Sequence, residues 1–262
     1  MKFTLLGSGT STGVPMPGCR CKVCTSKHPR NYRDRTAALI ELDSGYSILI
    51  DAGPDLRHQC IIHGVSRIDA VLYTHGHADH ILGTDDLRAF NFLSKKRIEC
   101  FGTYETLSSL KHAFGYIFDP SSSYLGGMLP QLDLREFSYD QPLQIEEATF
   151  IPFALPHGDV TVTGFRLGEL GYATDFKGLP ESAAQILTGV KYLFVDGIRY
   201  ETHATHNSID EAIEIAQRVK AEHSFLIHTT HSIDYETVNA QLPKGIELGY
   251  DGLTIICKLC EE

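Results

Sequence analysis

Four side chains able to hold a metal fall within six residues at His75-Gly76-His77-Ala78-Asp79-His80, directly behind the apolar run Asp69-Ala70-Val71-Leu72-Tyr73. In extended backbone, residues two apart face the same side. His75 and His77 can therefore grip one metal together. Asp79 and His80 follow where the chain begins to turn, so they can face a second metal a few ångströms away. Two metals ~3.5–4 Å apart can share a hydroxide and clamp both ends of a displacement. A surface histidine run explains the segment less well, because it sits behind a buried strand and has an aspartate inside it.

A second cluster, Cys19-Arg20-Cys21-Lys22-Val23-Cys24, places three thiols within six residues, one ligand short of a closed tetrahedron. The chain has seven cysteines, an odd number that disfavours a disulfide framework. Cys257-x-x-Cys260 lacks a partner pair and reads as ordinary thiols on or after a final strand, and Cys60 and Cys100 read as core cysteines. Gly7-Ser8-Gly9-Thr10-Ser11-Thr12-Gly13 invites a phosphate cradle, but Val14-Pro15-Met16-Pro17 cannot open a helix behind it. The glycines instead predict a tight backbone passage beside another segment.

These residues need a scaffold, and the apolar runs supply one. Strands are expected over 2–6, 36–42 and 46–50, with a hairpin at Ser44-Gly45, and over 69–73 and 97–101. Further strands fall near 143–155, 160–167, 170–174, 191–196 and 224–228, with a turn at Gly168. Helical spacing covers 55–63, the stretch from His80 to about Ser94, 104–114 and 234–241. Ser208-Ile209-Asp210-Glu211 is a capping box that opens a helix to about Glu222. Residues 121–127 read as a loop, and a last hairpin is expected over 246–257 around Asp251-Gly252. Strands and helices mix throughout, which predicts an α/β fold with mixed sheets, spanning 1–262 as one domain. The chain has 262 residues and a net charge of −10, and no arm of clustered Lys and Arg suits it to extended nucleic acid. No apolar run approaches the ~20 residues of a membrane helix, and no signal peptide is expected. A cytoplasmic location follows as the expectation.

The His75–His80 segment is an HxHxDH motif, and through it the chain resembles the metallo-β-lactamase-fold hydrolase superfamily. The resemblance implies a four-layer αββα sandwich of two mixed β-sheets flanked by helices. It matches a lone His to His157, a metal-bridging Asp to Asp175 and a final His to His228, each at the end of an apolar run. By resemblance, His75, His77 and His157 hold one metal, Asp79, His80 and His228 the other, and Asp175 bridges them. Nitrogen and oxygen ligands without thiolate suit Zn, Mn or Fe. Asp51 resembles a strand-end Asp that hydrogen-bonds a ligand from behind, and a plain turn cap remains the alternative.

Gly13-Val14-Pro15 and Gly18-Cys19-x-Cys21-x-x-Cys24 further resemble the PhnP-like phosphodiesterase branch, where such a segment binds a structural zinc with a His three residues beyond the last active-site His. That implies a Cys3His zinc on Cys19, Cys21, Cys24 and His231. The implied function is a phosphodiesterase in which a hydroxide shared by two divalent metals, Mn or Zn, attacks a small cyclic ribose or nucleotide phosphodiester. Asp79 and His206 are the expected catalytic residues, with His206 beside the leaving group and His203 the alternative. Arg166, Lys177 and Arg199 could meet a phosphate, and the resemblance also implies a homodimer. An RNA-processing nuclease would need a basic arm. A lactonase or thioesterase fits the ligands but not the CxCxxC element. A non-catalytic binding protein of cofactor biosynthesis shares that element but can lose ligands, and all seven are present here.

Overall fold

The computed structural model describes residues 1–119, 126–139 and 141–259. The first half of the chain runs β1 (Lys2–Gly7), β2 (Ala37–Glu41), β3 (Ser47–Ile50), α1 (Leu56–Ile62), β4 (Ala70–Leu72), α2 (Ala78–Ile81), α3 (Arg88–Ser94), β5 (Ile98–Gly102), α4 (Tyr104–Ala113), α5 (Gly115–Phe118) and β6 (Leu132–Glu136). The second half runs β7 (Leu143–Ile145), β8 (Ala148–His157), β9 (Val160–Leu167), β10 (Leu170–Ala173), α6 (Glu181–Leu187), β11 (Tyr192–Asp196), α7 (Ile209–Val219), β12 (His223–Ile227), α8 (Tyr235–Asn239), β13 (Ile246–Leu248) and β14 (Thr254–Ile256).

The strands form two seven-stranded sheets, ordered β14-β1-β2-β3-β4-β5-β6 and β13-β12-β11-β10-β9-β8-β7. Each is mixed. The first is antiparallel from β14 to β3 and parallel from β3 to β6, and the second is parallel from β13 to β10 and antiparallel beyond. Continuous apolar runs are what a sheet covered on both faces requires. In β3, Ile48 and Ile50 enter the core between the sheets with Phe3, Phe150, Phe165 and Phe194, while Leu49 packs outward with Leu56 of α1. In β11, Phe194 points into that same core, while Leu193 and Val195 pack outward with Ile209 and Ala212 of α7. The result is a four-layer sandwich of helices, sheet, sheet and helices.

The expected final hairpin does not form. β13 pairs parallel with β12 in the second sheet, and β14 pairs antiparallel with β1 in the first. Gly249 N–H bonds Leu226 O at 2.8 Å and Gly252 N–H bonds Leu5 O at 2.7 Å, so the Asp251-Gly252 turn carries the chain from one sheet to the other. The strand expected near 143–155 is divided at Glu146 into the hairpin β7–β8. The helical stretch after His80 breaks into α2, a 3-10 turn at Thr84–Leu87 and α3. Neither β6 nor α6 is anticipated by the sequence reading. The 121–127 loop lies mostly, and Cys260 wholly, outside the described residues, whereas Cys257 is buried just after β14.

Candidate metal centre

Strand ends from both sheets deliver the polar residues to one edge of the sandwich. β3 leads into Asp51, β4 into Thr74 and His75, β10 into Asp175 and β12 into His228, while β8 ends at His157 and β11 at Asp196. Thr163 N–H of β9 bonds Thr74 O at 2.9 Å and joins the two halves at this point. Asp51, Asp175 and His228 have φ of 62°, 55° and 60°. A left-handed conformation in a side-chain-bearing residue is strained, and such strain gathers at functional sites. Gly53 is bound by contact: a Cβ there would stand 2.1 Å from Asp79 O. That approach, with Ala52 N–H bonding His80 O at 2.8 Å, pins α2 and its ligand candidates against the Asp51 turn.

Two groups of donors result. The imidazoles of His75, His77 and His157 bring ligand nitrogens within 4.8 Å of one another, as do the donors of Asp79, His80, Asp175 and His228. Asp175 Oδ2 lies 3.3 Å from His80 Nε2 and 3.1 Å from His228 Nε2. Asp175 also falls within the same reach of His157 and His206, so its carboxylate stands between the groups. The Nε2 atoms of His75, His80 and His228 are buried without a hydrogen-bond partner. Leaving such nitrogens unsatisfied costs stability. Imidazole lone pairs and carboxylates converging on one space are the donor set of a divalent cation such as zinc. Burial keeps His75 far below the usual imidazole range and so neutral, the form that ligates. Burial alone would raise Asp175, but the His228 and His80 imidazoles outweigh it and hold its carboxyl well below the usual range.

Behind the donors lie groups that fix their tautomers. Asp51 is fully buried and accepts from His80 Nδ1 at 2.7 Å and from Thr74 N–H and Oγ1, each at 2.8 Å. Thr74 Oγ1 is also 3.0 Å from His75 Nδ1. Its one proton goes to Asp51, so it accepts from His75. His157 Nδ1 donates to Thr205 O at 2.9 Å. In each ring Nε2 is left for the centre. Asp51 thus lies behind His80 and Thr74, hydrogen-bonded to both.

His206 is buried, stacks on His228 with ring centroids 4.8 Å apart and meets His157 edge-on at 4.7 Å. Its Nδ1 donates to Asp196 Oδ2 at 2.9 Å. The Ser208–Glu211 capping box forms and anchors α7 immediately after it. His203 lies one ring further out, 5.0 Å from His206, with Nδ1 3.3 Å from Thr205 N–H. Asp196 falls in the strand expected over 191–196 but receives no role from the sequence, although it ends an apolar strand just as Asp51 and Asp175 follow theirs.

The thiols gather as well. Cys19, Cys21, Cys24 and His231 bring their ligand atoms within 4.8 Å of one another. His231 Nδ1 is 3.4 Å from both Cys19 Sγ and Cys21 Sγ. The Cys24 N–H and then His231 draw the Cys21 thiol down to about 6, towards the thiolate that binds metal. The glycine run is the tight passage predicted, since a Cβ on Gly9 would lie 2.8 Å from Arg33 O. Thr10 N–H and Thr229 O, 3.2 Å apart, dock this loop on the segment between His228 and His231. Buried Arg33 bonds Thr230 O at 3.0 Å and Ile233 O at 2.7 Å from the other side.

A cleft of about 410 Å³ opens beside His75 and His77, between the first turns of α4 and the β8–β9 turn. The three proposed phosphate contacts do not line it. Arg166 donates to Gly168 O and Ile186 O, well along β9 from the site. Lys177 Nζ is 2.7 Å from both carboxylate oxygens of Glu211. Arg199 is turned to the Glu201 and Thr202 carbonyls at 3.4 and 3.5 Å.

Two stacked mixed sheets with histidines and aspartates gathered at their strand ends define a metallo-β-lactamase-fold hydrolase. The chain belongs to this superfamily: the model of the Beta-lactamase superfamily domain matches residues 46–229. An octanoyltransferase of Porphyromonas gingivalis is 37% identical over 258 residues, 98% of this chain and 51% of that protein. The chain therefore spans about half the length of that curated relative, and about a third of the next, a coenzyme PQQ synthesis protein B of Methylobacterium radiotolerans. A crystal structure of a diphosphatase from the PhnP family is similar at a TM-score of 0.91 and 38% identity, covering 100% of this chain and 99% of that one. Zn(2+)-bound PqqB from Methylobacterium extorquens shares the fold at a TM-score of 0.80 and 18% identity, over 98% of this chain and 100% of that one.

Proposed function

We propose that the chain is a metal-dependent phosphodiesterase acting on small diesters, with His75, His77 and His157 holding one divalent cation, Asp79, His80 and His228 a second, and Asp175 both. The observation that carries the reading is the Asp175 carboxylate standing between two donor groups whose buried Nε2 atoms lack partners. Two cations there, Mn or Zn, would supply neutralisation of charge at phosphorus and activation of the attacking water. Asp79 is the more exposed of the two carboxylates in its group and would accept a hydrogen bond from that water and orient it. His206 gives the leaving alkoxide its proton from Nε2, while Asp196 holds the other nitrogen and stabilises the imidazolium that precedes the transfer. Cys19, Cys21, Cys24 and His231 would hold a structural zinc, because a full tetrahedral set leaves no open position for substrate.

Similarity to the PhnP-family diphosphatase over nearly both full lengths supports phosphorus as the centre attacked. The transferase name belongs to a protein about twice as long. Among the described residues no basic arm projects for RNA, and the net charge is −10.

The test is hydrolysis of bis(p-nitrophenyl) phosphate by protein loaded separately with Mn and Zn, with chelator-treated protein and His77→Ala as controls. Metal-dependent turnover lost in both controls is expected. No turnover with either metal, in folded protein that retains its thiol-bound zinc, would overturn the reading. His206→Ala is expected to slow diesters with alkoxide leaving groups about 10²–10⁴-fold and nitrophenyl diesters far less. Equal losses would remove the acid role.

A further inference from the structure

The cleft beside His75 and His77 has a charge pattern unusual for a phosphate enzyme. It is lined by the hydroxyl-bearing residues Thr103, Ser109, Tyr139 and Thr161 and by the exposed Glu105 and Asp159, and among the described residues no Lys or Arg lines it. The cations nearest in function are committed elsewhere, Lys177 to Glu211 and Arg199 to backbone carbonyls. Tyr139 Oη pairs with Thr163 Oγ1 at 3.2 Å, which fixes the ring as a wall. Burial raises the Tyr139 phenol and the nearby Glu105 charge adds to it, so the group stays a neutral hydroxyl.

We propose that this cleft receives the organic group of the diester and selects a hydroxyl-bearing group of nucleoside or glycoside size that carries no further phosphate. The proposal rests on the phosphodiesterase reading above. The volume of about 410 Å³ is of the size that takes such a group. The single charge of a diester is met at the metal centre. A second phosphate would enter a cleft whose fixed charges, Glu105 and Asp159, share its sign, and like-charge juxtaposition is a strong source of discrimination. Sugar hydroxyls, by contrast, donate well to those carboxylates.

Adenosine 2′,3′-cyclic phosphate and the same compound bearing a 5′-phosphate test this in the metal-loaded full chain. Bis(p-nitrophenyl) phosphate reports the core reaction alongside. The 5′-phosphate is expected to raise KM about tenfold or more with kcat little changed. Glu105→Gln with Asp159→Asn should shrink that ratio, and Glu105→Lys with Asp159→Lys should invert it. Equal KM values for the two compounds, or a ratio unmoved by the charge changes, overturn the proposal. Failure to hydrolyse bis(p-nitrophenyl) phosphate would instead overturn the phosphodiesterase reading. Calorimetric titration of the same two compounds then still decides the cleft: tenfold weaker binding of the 5′-phosphorylated one sustains charge selection, and equal binding ends it.

Discussion

Thr74 offers one hydroxyl to two neighbours, and its position ties both halves of the centre to Asp51. Because its proton goes to the Asp51 carboxylate, its lone pair is free for His75 Nδ1–H, and Asp51 holds His80 directly. Thr74→Val removes the acceptor for His75 while keeping the side chain's shape. Metal affinity at the His75 group is expected to fall about 10–100-fold, with Thr74→Ser restoring it, as read by chelator competition. Another buried residue, Asp34, has a carboxylate whose Oδ2 lacks a hydrogen bond and lies 3.7 Å from His58 Nε2. Burial and then the Asp55 charge raise it from 3.8 to about 6, with His58 and Arg35 opposing, and Asp251 lies close by. The folded chain therefore holds this proton where the unfolded chain has released it. The stability it contributes is full below about pH 4 and is lost as pH rises through about 6. Asp34→Asn should leave stability unchanged near pH 4 and raise it by about 1–3 kcal/mol at pH 8, measured by urea unfolding of the metal-loaded protein. A wild-type advantage at pH 8 would sink this account.

Among the elements, the loop carrying Cys19, Cys21 and Cys24 meets the loop carrying His231, three residues beyond His228. Cys24→Ser weakens the thiol group without touching the active centre. Its expected effect is loss of one equivalent of zinc and about 2–4 kcal/mol of stability, with looser binding at the His228 group as the loop is released. Elemental analysis and thermal unfolding read both. The elements also explain what is legible in the sequence. His75 to His80 announce themselves because their spacing is local and set by backbone geometry. His157, Asp175 and His228 become visible only through the family resemblance, since each is a single polar residue after an apolar run. Asp196 has that same local context, and only the tertiary approach of His206 gives it a role. Asp251-Gly252 carries a strong local turn signal, yet tertiary pairing with Leu5 and Leu226 decides where the flanking strands go.

At the scale of the molecule, two sheets with one shared apolar core are joined at the site edge and again at Asp251. That carboxylate is half-buried and accepts from Ser8 N–H at 2.8 Å, Ser8 Oγ at 2.7 Å and Asp34 N–H at 2.6 Å. Asp251→Ala would strand these donors, and a loss of about 2–4 kcal/mol in unfolding free energy is expected, with unfolding still a single transition. Calorimetry would detect a second transition if the sheets came apart separately. The crossing at Asp251 has a temporal side too. β1 lies between β2 and β14, and Lys2 pairs with Ile256 across nearly the whole chain. During synthesis β1 therefore keeps one edge bare until β14 emerges, and an open edge is where strands of other chains attach. Nascent chains stalled short of β14 should be the ones that chaperones hold.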